Sequence, residues 1–160
     1  MDYHIKGFEA LGAQVALEHG YMKAYAKRLT GAKYYVSRAS VGATINTMLA
    51  AVLAEGTTVL ENAAREPEVV DLANLLNAMG AKIRGAGMDV IRIEGVKRLH
   101  GTEHEIIPDR IEVGSYLILG AMTGGKVVVE NAMGEHLRSV LASLGAIGVE
   151  IEESTTAICV

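Results

Sequence analysis

The sequence predicts a mixed α/β (α+β) fold made by repetition. The unit has about 68 residues and reads helix, strand, helix and then two or three strands, with an incomplete set of copies in the chain. Three observations predict it. Leu11-Gly12-Ala13-Gln14-Val15, Met79-Gly80-Ala81-Lys82-Ile83 and Ile147-Gly148-Val149-Glu150-Ile151 share one pattern, with glycines spaced 68 residues apart both times. Val59-Leu60-Glu61-Asn62-Ala63 recurs as Val128-Val129-Glu130-Asn131-Ala132, and Lys27-Arg28-Leu29-Thr30-Gly31 as Lys97-Arg98-Leu99-His100-Gly101. Matches that agree in register mark a duplicated unit, and repeats decide architecture before single elements do. Third, the stretch from Ala43 to Ala54 carries no charge on any face. A helix apolar all round is expected to be buried all round. Val90 to Glu94 alternates instead, with Ile91 and Ile93 on one face and Arg92 and Glu94 on the other. That pattern suits a sheet with one wet face. Helices inside and sheets outside reverses the common α/β layering.

The elements follow in order. A helix is expected over about His4 to Leu11. Ser40 is an N-cap for a helix running to about Ala54, where Glu55-Gly56 stops it. Thr57 to Asn62 is β-branched and reads as a strand. Glu66-Pro67-Glu68 opens the next helix, with proline at an early position and acids in the first turn, where the helix dipole favours them. Val69, Leu72, Ala73, Leu76 and Met79 follow helical spacing, and Gly80 ends the run as a C′ glycine. Strands are expected at Ala81 to Arg84 and Val90 to Glu94, joined by Gly85-Ala86-Gly87, and near His104 to Ile107. Pro108-Asp109-Arg110-Ile111-Glu112 opens another helix, with Asp109 as its N-cap. At this period 160 residues hold about two and a third units, so the chain is expected to be a piece of a longer protein.

Composition excludes several functions. Apolar residues make up 50% of the chain, enough to bury a core without staples. A net charge of −4 argues against a nucleic-acid or anionic-membrane binder, which needs a basic surface. The single cysteine, Cys159, rules out an internal disulfide and a cysteine-rich zinc site, and its apolar setting reads as packing. No apolar run approaches a membrane span. With no signal-peptide pattern at Met1-Asp2-Tyr3-His4, a soluble cytoplasmic protein is expected.

Two places could carry chemistry. Ser40-Val41-Gly42-Ala43-Thr44 opens the apolar helix. Its free N–H groups make an anion site, Gly42 admits a ligand to the backbone, and Arg38 lies just upstream. The same residues also read as a plain capped helix. Glu61-Asn62-Ala63-Ala64-Arg65-Glu66-Pro67-Glu68 is either a binding loop on a rigid scaffold or a helix cap made by Glu66 and Glu68. His100 and His104 lack a carboxylate to complete a metal set, so no metal is expected.

These strings together, with Leu53-Ala54-Glu55-Gly56-Thr57-Thr58, resemble the UDP-N-acetylglucosamine 1-carboxyvinyltransferase family of enolpyruvyl transferases. The resemblance covers essentially all 160 residues. It implies an inside-out α/β barrel, with residues 1–107 part of a UDP-sugar-binding lobe and 108–160 the start of a second lobe. It further implies transfer of enolpyruvyl from phosphoenolpyruvate to UDP-N-acetylglucosamine in peptidoglycan synthesis, with no cofactor. Asp2, Tyr3 and His4 match the family's uridine segment. Arg38, Ala39, Ser40, Val41 and Gly42 match its diphosphate segment, with arginine where lysine is common. Glu66, Glu68, Asp109 and Arg110 match residues near the cleft and hinge. The family's reactive cysteine loop has no counterpart here. The chain alone is therefore expected to be inactive, with phosphoenolpyruvate a ligand of the full enzyme only. The alternatives are a non-catalytic UDP-sugar-binding module and a structural fragment. In any case self-association is expected, through exposed apolar helix surface and open strand edges.

Overall fold

The computed structural model describes residues 1–160, which divide into two compact units, Met1–Glu105 and Ile106–Val160. The first unit opens with helix α1 (Asp2–Ala10) and a hairpin of β1 (Gln14–Glu18) and β2 (Tyr21–Tyr25). The hairpin turns through His19 and Gly20, both at positive φ, the two-residue turn whose twist matches that of its strands. Next come β3 (Lys33–Tyr35), α2 (Val41–Ala51), β4 (Thr57–Glu61), α3 (Pro67–Ala78), β5 (Lys82–Arg84) and β6 (Val90–Glu94). Four strands form one sheet in the order β3-β4-β6-β5, with β3 parallel to β4 and the other pairs antiparallel.

The core of this unit lies between the helices and one face of that sheet. Tyr34, Leu60, Ile83, Ile91 and Ile93 face inward and are buried with Met48, Val52, Val69 and Leu76. Lys33, Tyr35, Lys82, Arg84 and Arg92 lie on the exposed face. The expected alternation along the last strand is thus present: Ile91 and Ile93 are fully buried and Arg92 is exposed.

The second unit repeats the pattern. It comprises α4 (Arg110–Thr123), β7 (Val128–Glu130), a single 3-10 turn at Gly134–Leu137, α5 (Arg138–Ala146), β8 (Glu152–Glu153) and β9 (Ala157–Cys159). Its strand order, β7-β9-β8, is that of β4-β6-β5. Its core contains Val113, Leu117, Ala132, Leu137, Leu144 and Ile158.

The repeat is visible in single hydrogen bonds. Gly12, Gly80 and Gly148 have φ of 90°, 98° and 92°. Each follows a helix whose C-cap residue is Leu11, Met79 or Ile147. The residue after each glycine donates back to the last turn: Ala13 to Phe8, Ala81 to Leu76 and Val149 to Leu144, at 3.0, 2.9 and 3.1 Å. These are left-handed helix ends at which glycine carries no Cβ penalty. Asn62 and Asn131 share positive φ of 55° and 52°, and asparagine tolerates that region better than most residues. The N–H groups of Ala63 and Ala132 then bond to the carbonyls of Asp89 and Thr156 at 2.9 and 3.1 Å.

Three expectations are corrected. The helix expected to reach Ala54 ends at Ala51, because the Val52 carbonyl accepts from Val96 and Glu55 bonds to Leu29 and Gly31. That helix is not buried all round. Ala43, Thr44, Thr47, Met48 and Ala51 are buried, but Leu49 is 44% exposed, as is Leu53 just past the helix end at 55%, because the layers of this unit cover only one side of this stretch. Finally, residues 104–107 form no strand. His104 is instead tied through its side chain to Asp71 of α3, with Nε2 2.9 Å from Oδ1.

Candidate functional site

Two segments far apart in sequence meet at the N-terminus of α2. Gly7 of α1 is buried, and a methyl group there would collide with the Thr47 hydroxyl, so the α1 and α2 backbones approach closely. That approach carries the first turn of α1 to the first turn of α2. His4 Nδ1 lies 2.9 Å from Asn46 Nδ2. A Cβ on Gly42 would sit 3.0 Å from His4 Cε1. The turn is also held from the sheet, where the Tyr34 hydroxyl donates to the Tyr3 carbonyl at 2.8 Å. Burial, and secondarily the neighbouring Tyr3 phenol, raises the Tyr34 pKa above its ordinary value.

The helix start is built for an open N-terminus. Ser40 has extended backbone and its Oγ accepts weakly from Ala43 N–H at 3.4 Å. The first N–H groups of any helix lack intrahelical partners, and the dipole makes this end positive. Arg38 lies exposed on the bend just before it, free of any ion pair, and Ala39 beside it is also exposed.

The loop after β4 fixes this end. Ala64 N–H donates to Thr44 Oγ1 at 3.0 Å, Asn62 Nδ2 donates to the Val36 carbonyl at 2.7 Å, and Val36 N–H donates to the Glu61 carbonyl at 2.9 Å. The buried Thr44 hydroxyl thus serves as an acceptor rather than an orphan. Arg65 stands exposed, 3.9 Å from Asp89, a spacing in water that contributes little. Glu66 occupies the N-cap position of α3, but contrary to the capping expectation its side chain makes no cap bond; Pro67 follows at the first helical position. Glu68 lies in the first turn.

The structure therefore brings His4 to Gly42 and Asn46, while Tyr3 is tied through its carbonyl to Tyr34; Ser40 and Val41 adjoin Gly42 in the chain, and Asp2, Arg38 and Ala39 are exposed. Asp109 begins the second unit's first helix as expected of an N-cap: Oδ1 accepts from Ile111 at 2.8 Å and Glu112 at 3.3 Å. Arg110 is the first residue of that helix and is half-buried. Sequence reasoning missed Asn46 and Tyr34, and it read Thr44 only as part of the string that opens α2, not as the acceptor for Ala64. Of the two missed residues only Asn46 gave a signal, as the one amide in an uncharged helix. Cys159 is half-buried in β9, and no helix is long and apolar enough to cross a membrane.

Comparison with known proteins bears on these residues. The family model described as EPSP synthase (3-phosphoshikimate 1-carboxyvinyltransferase) matches residues 1–160. UDP-N-acetylglucosamine 1-carboxyvinyltransferase 1 of Caldanaerobacter subterraneus subsp. tengcongensis is 60% identical over 153 residues, covering 96% of this chain and 37% of that protein. UDP-N-acetylglucosamine 1-carboxyvinyltransferase 2 of Bacillus cereus is 58% identical over 160 residues, again covering 37% of the relative. The chain thus spans little more than a third of the length of such relatives. Among solved structures, the enolpyruvyl transferase NikO from Streptomyces tendae superposes with a TM-score of 0.83 at 21% identity, covering 99% of this chain and 41% of that one. EPSP synthase from Acinetobacter baumannii superposes with a TM-score of 0.68 at 22% identity, covering 100% and 39%. The fold is that of the enolpyruvyl transferases, and the chain belongs to the EPSP synthase family.

Proposed function

We propose that this chain forms part of the nucleotide-sugar wall of a UDP-N-acetylglucosamine 1-carboxyvinyltransferase and binds UDP-N-acetylglucosamine at the N-terminus of α2. The observation that carries the reading is the approach of His4 to Gly42 and Asn46 at the start of α2, on a turn held by the Tyr34–Tyr3 bond. The names of the relatives at 57–60% identity support the substrate. The chemistry fits a diphosphate. Unpartnered N–H groups and the helix dipole favour an anion, Gly42 presents no side chain to block it, and the free Arg38 guanidinium offers two parallel donors to phosphate oxygens.

In the whole protein, the sugar 3-hydroxyl would give up its proton to a base and add through its oxygen to C2 of phosphoenolpyruvate as C3 gains a proton. Loss of that proton and cleavage of the C2–O bond would then release phosphate. Residues 1–107 would belong to the sugar-binding lobe and 108–160 to the second, with Glu66, Glu68, Asp109 and Arg110 near the cleft. Transfer needs both substrates held together and shielded from water, which depends on groups this chain does not supply. The setting would be the cytoplasm.

Calorimetric titration of the 160-residue chain tests the reading. Saturable binding of UDP-N-acetylglucosamine is expected, together with no phosphate release after adding phosphoenolpyruvate. Absence of binding overturns the site, and turnover by the purified chain overturns the assignment of catalysis to the whole protein. Light scattering on the same sample reads the expected self-association, since Leu49 and Leu53 remain uncovered.

A further inference from the structure

We infer that Asn46 is a positioning residue that holds the His4 imidazole in its Nε2–H tautomer and turns a proton donor toward the diphosphate of a nucleotide sugar, an inference that rests on the reading above. Asn46 stands one helical turn after Gly42, on the same face of α2. Its Nδ2 approaches His4 Nδ1 at 2.9 Å. An amide nitrogen only donates, so Nδ1 accepts, and a neutral ring then carries its proton on Nε2. The opposite edge of the ring faces the helix start: a Cβ at Gly42 would lie 3.0 Å from Cε1 and 3.4 Å from Nε2. Nε2 has no protein partner.

The ring is fixed from three directions. Asn46 holds Nδ1, the bare backbone at Gly42 supports the Cε1–Nε2 edge, and the Tyr34–Tyr3 bond anchors the turn that carries His4. The tautomer matters because Nε2–H donates to a phosphate oxygen, whereas a lone pair there would face another lone pair. Removing Asn46 leaves the ring in place but frees the proton to choose either nitrogen.

The test combines spectra and binding. Nitrogen-15 correlation spectra of the labelled 160-residue chain, at a pH where the ring is neutral, are expected to show the Nε2–H pattern for His4. Asn46→Leu should give a tautomer mixture, and Asn46→Asp, whose carboxylate only accepts, should move the proton to Nδ1. In titrations with UDP-N-acetylglucosamine, Asn46→Leu should bind about three- to tenfold more weakly, as for one displaced hydrogen bond. That loss should vanish in a His4→Ala background, because the effect runs through His4. An Nδ1–H wild-type spectrum, or an undiminished loss in the His4→Ala background, overturns the inference. A wild-type chain with the Nε2–H spectrum but no nucleotide-sugar binding overturns the proposed function and the ligand named here, while the spectra still support tautomer control. Retained amide spectra in each variant separate these outcomes from unfolding.

Discussion

The two copies of the strand-helix-strand-strand motif, β4-α3-β5-β6 and β7-α5-β8-β9, share a backbone plan and differ in what covers it. In the first, the strands have 5, 3 and 5 residues and the helix 12; in the second they have 3, 2 and 3, and the helix 9. Leu60 of β4 is fully buried, whereas its counterpart Val129 in β7 is only half-buried. Pro67 starts α3 cleanly, whereas α5 is preceded by a 3-10 turn. Asn62 and Gly80 nevertheless share their positive φ with Asn131 and Gly148, although Gly85 and Gly87 of the β5–β6 turn have no counterpart between β8 and β9. Local signals thus reproduce local geometry wherever they occur, while burial depends on the number of layers stacked on the motif. The first copy shares its unit with α1, the β1–β2 hairpin, α2 and a fourth strand, β3; the second has α4 alone beside it.

The largest test of that difference is a pair of truncations. Leu60→Ala removes a fully buried side chain and should destabilise the first unit by about 2–5 kcal/mol. Val129→Ala removes fewer atoms from a partly wet position, and about 1 kcal/mol is expected from the methyl groups lost. Amide hydrogen exchange followed separately in the β4 and β7 sheets reads both. Equal losses would mean that the second copy is as well covered as the first.

A smaller effect sharpens the likeness between the copies. Gly12→Ala and Gly148→Ala should each cost about 1–2 kcal/mol, the penalty of a Cβ in the left-handed region. The two costs should agree, because nothing lies within 4 Å of a Cβ at either site. Gly80→Ala should cost more, since its methyl would also press on the His100 ring at 3.2 Å. Urea denaturation of the three variants measures this. Unequal costs at positions 12 and 148 would break the equivalence of the repeats.

How much of this was legible in the sequence follows the same division. The caps at Ser40 and Asp109, the C′ glycines and the alternation of Ile91 and Ile93 depend on neighbours a few residues away, and each is where the sequence puts it. The strand expected near His104–Ile107 failed because a strand is defined by a ladder, and residue types alone do not supply one. The full burial expected of Ala43 to Ala54 failed for a related reason, since Leu49 of α2 and Leu53 just beyond it are exposed. Absence of charge says that a face tolerates burial, not that something lies on it. In the candidate site, the capped, glycine-bearing helix start at residues 40–44, on which the proposed anion site rests, could be read from the string itself. The approach of His4 to Gly42 depends on a helix crossing over Gly7 and Thr47, which no spacing rule reaches.

The smallest test concerns the tether that belongs to the first unit alone. Tyr34 is buried and donates to the Tyr3 carbonyl, whereas Tyr116 in the second unit is exposed. Tyr34→Phe deletes that bond and should cost about 0.5–1.5 kcal/mol near neutral pH. Burial first, and Tyr3 second, raise the Tyr34 pKa above its ordinary 10.0, so the folded chain holds this proton more tightly than the unfolded chain does. The stability this group contributes is therefore complete below 10.0 and is lost as pH rises through the folded value. The gap between wild type and Tyr34→Phe, followed by urea denaturation from about pH 9 to about pH 11, should narrow with rising pH across the range where tyrosines ionise. A gap that stays constant would mean that the Tyr34 hydroxyl is not held in a dry site, and that α1 is seated on the sheet by packing rather than by this bond.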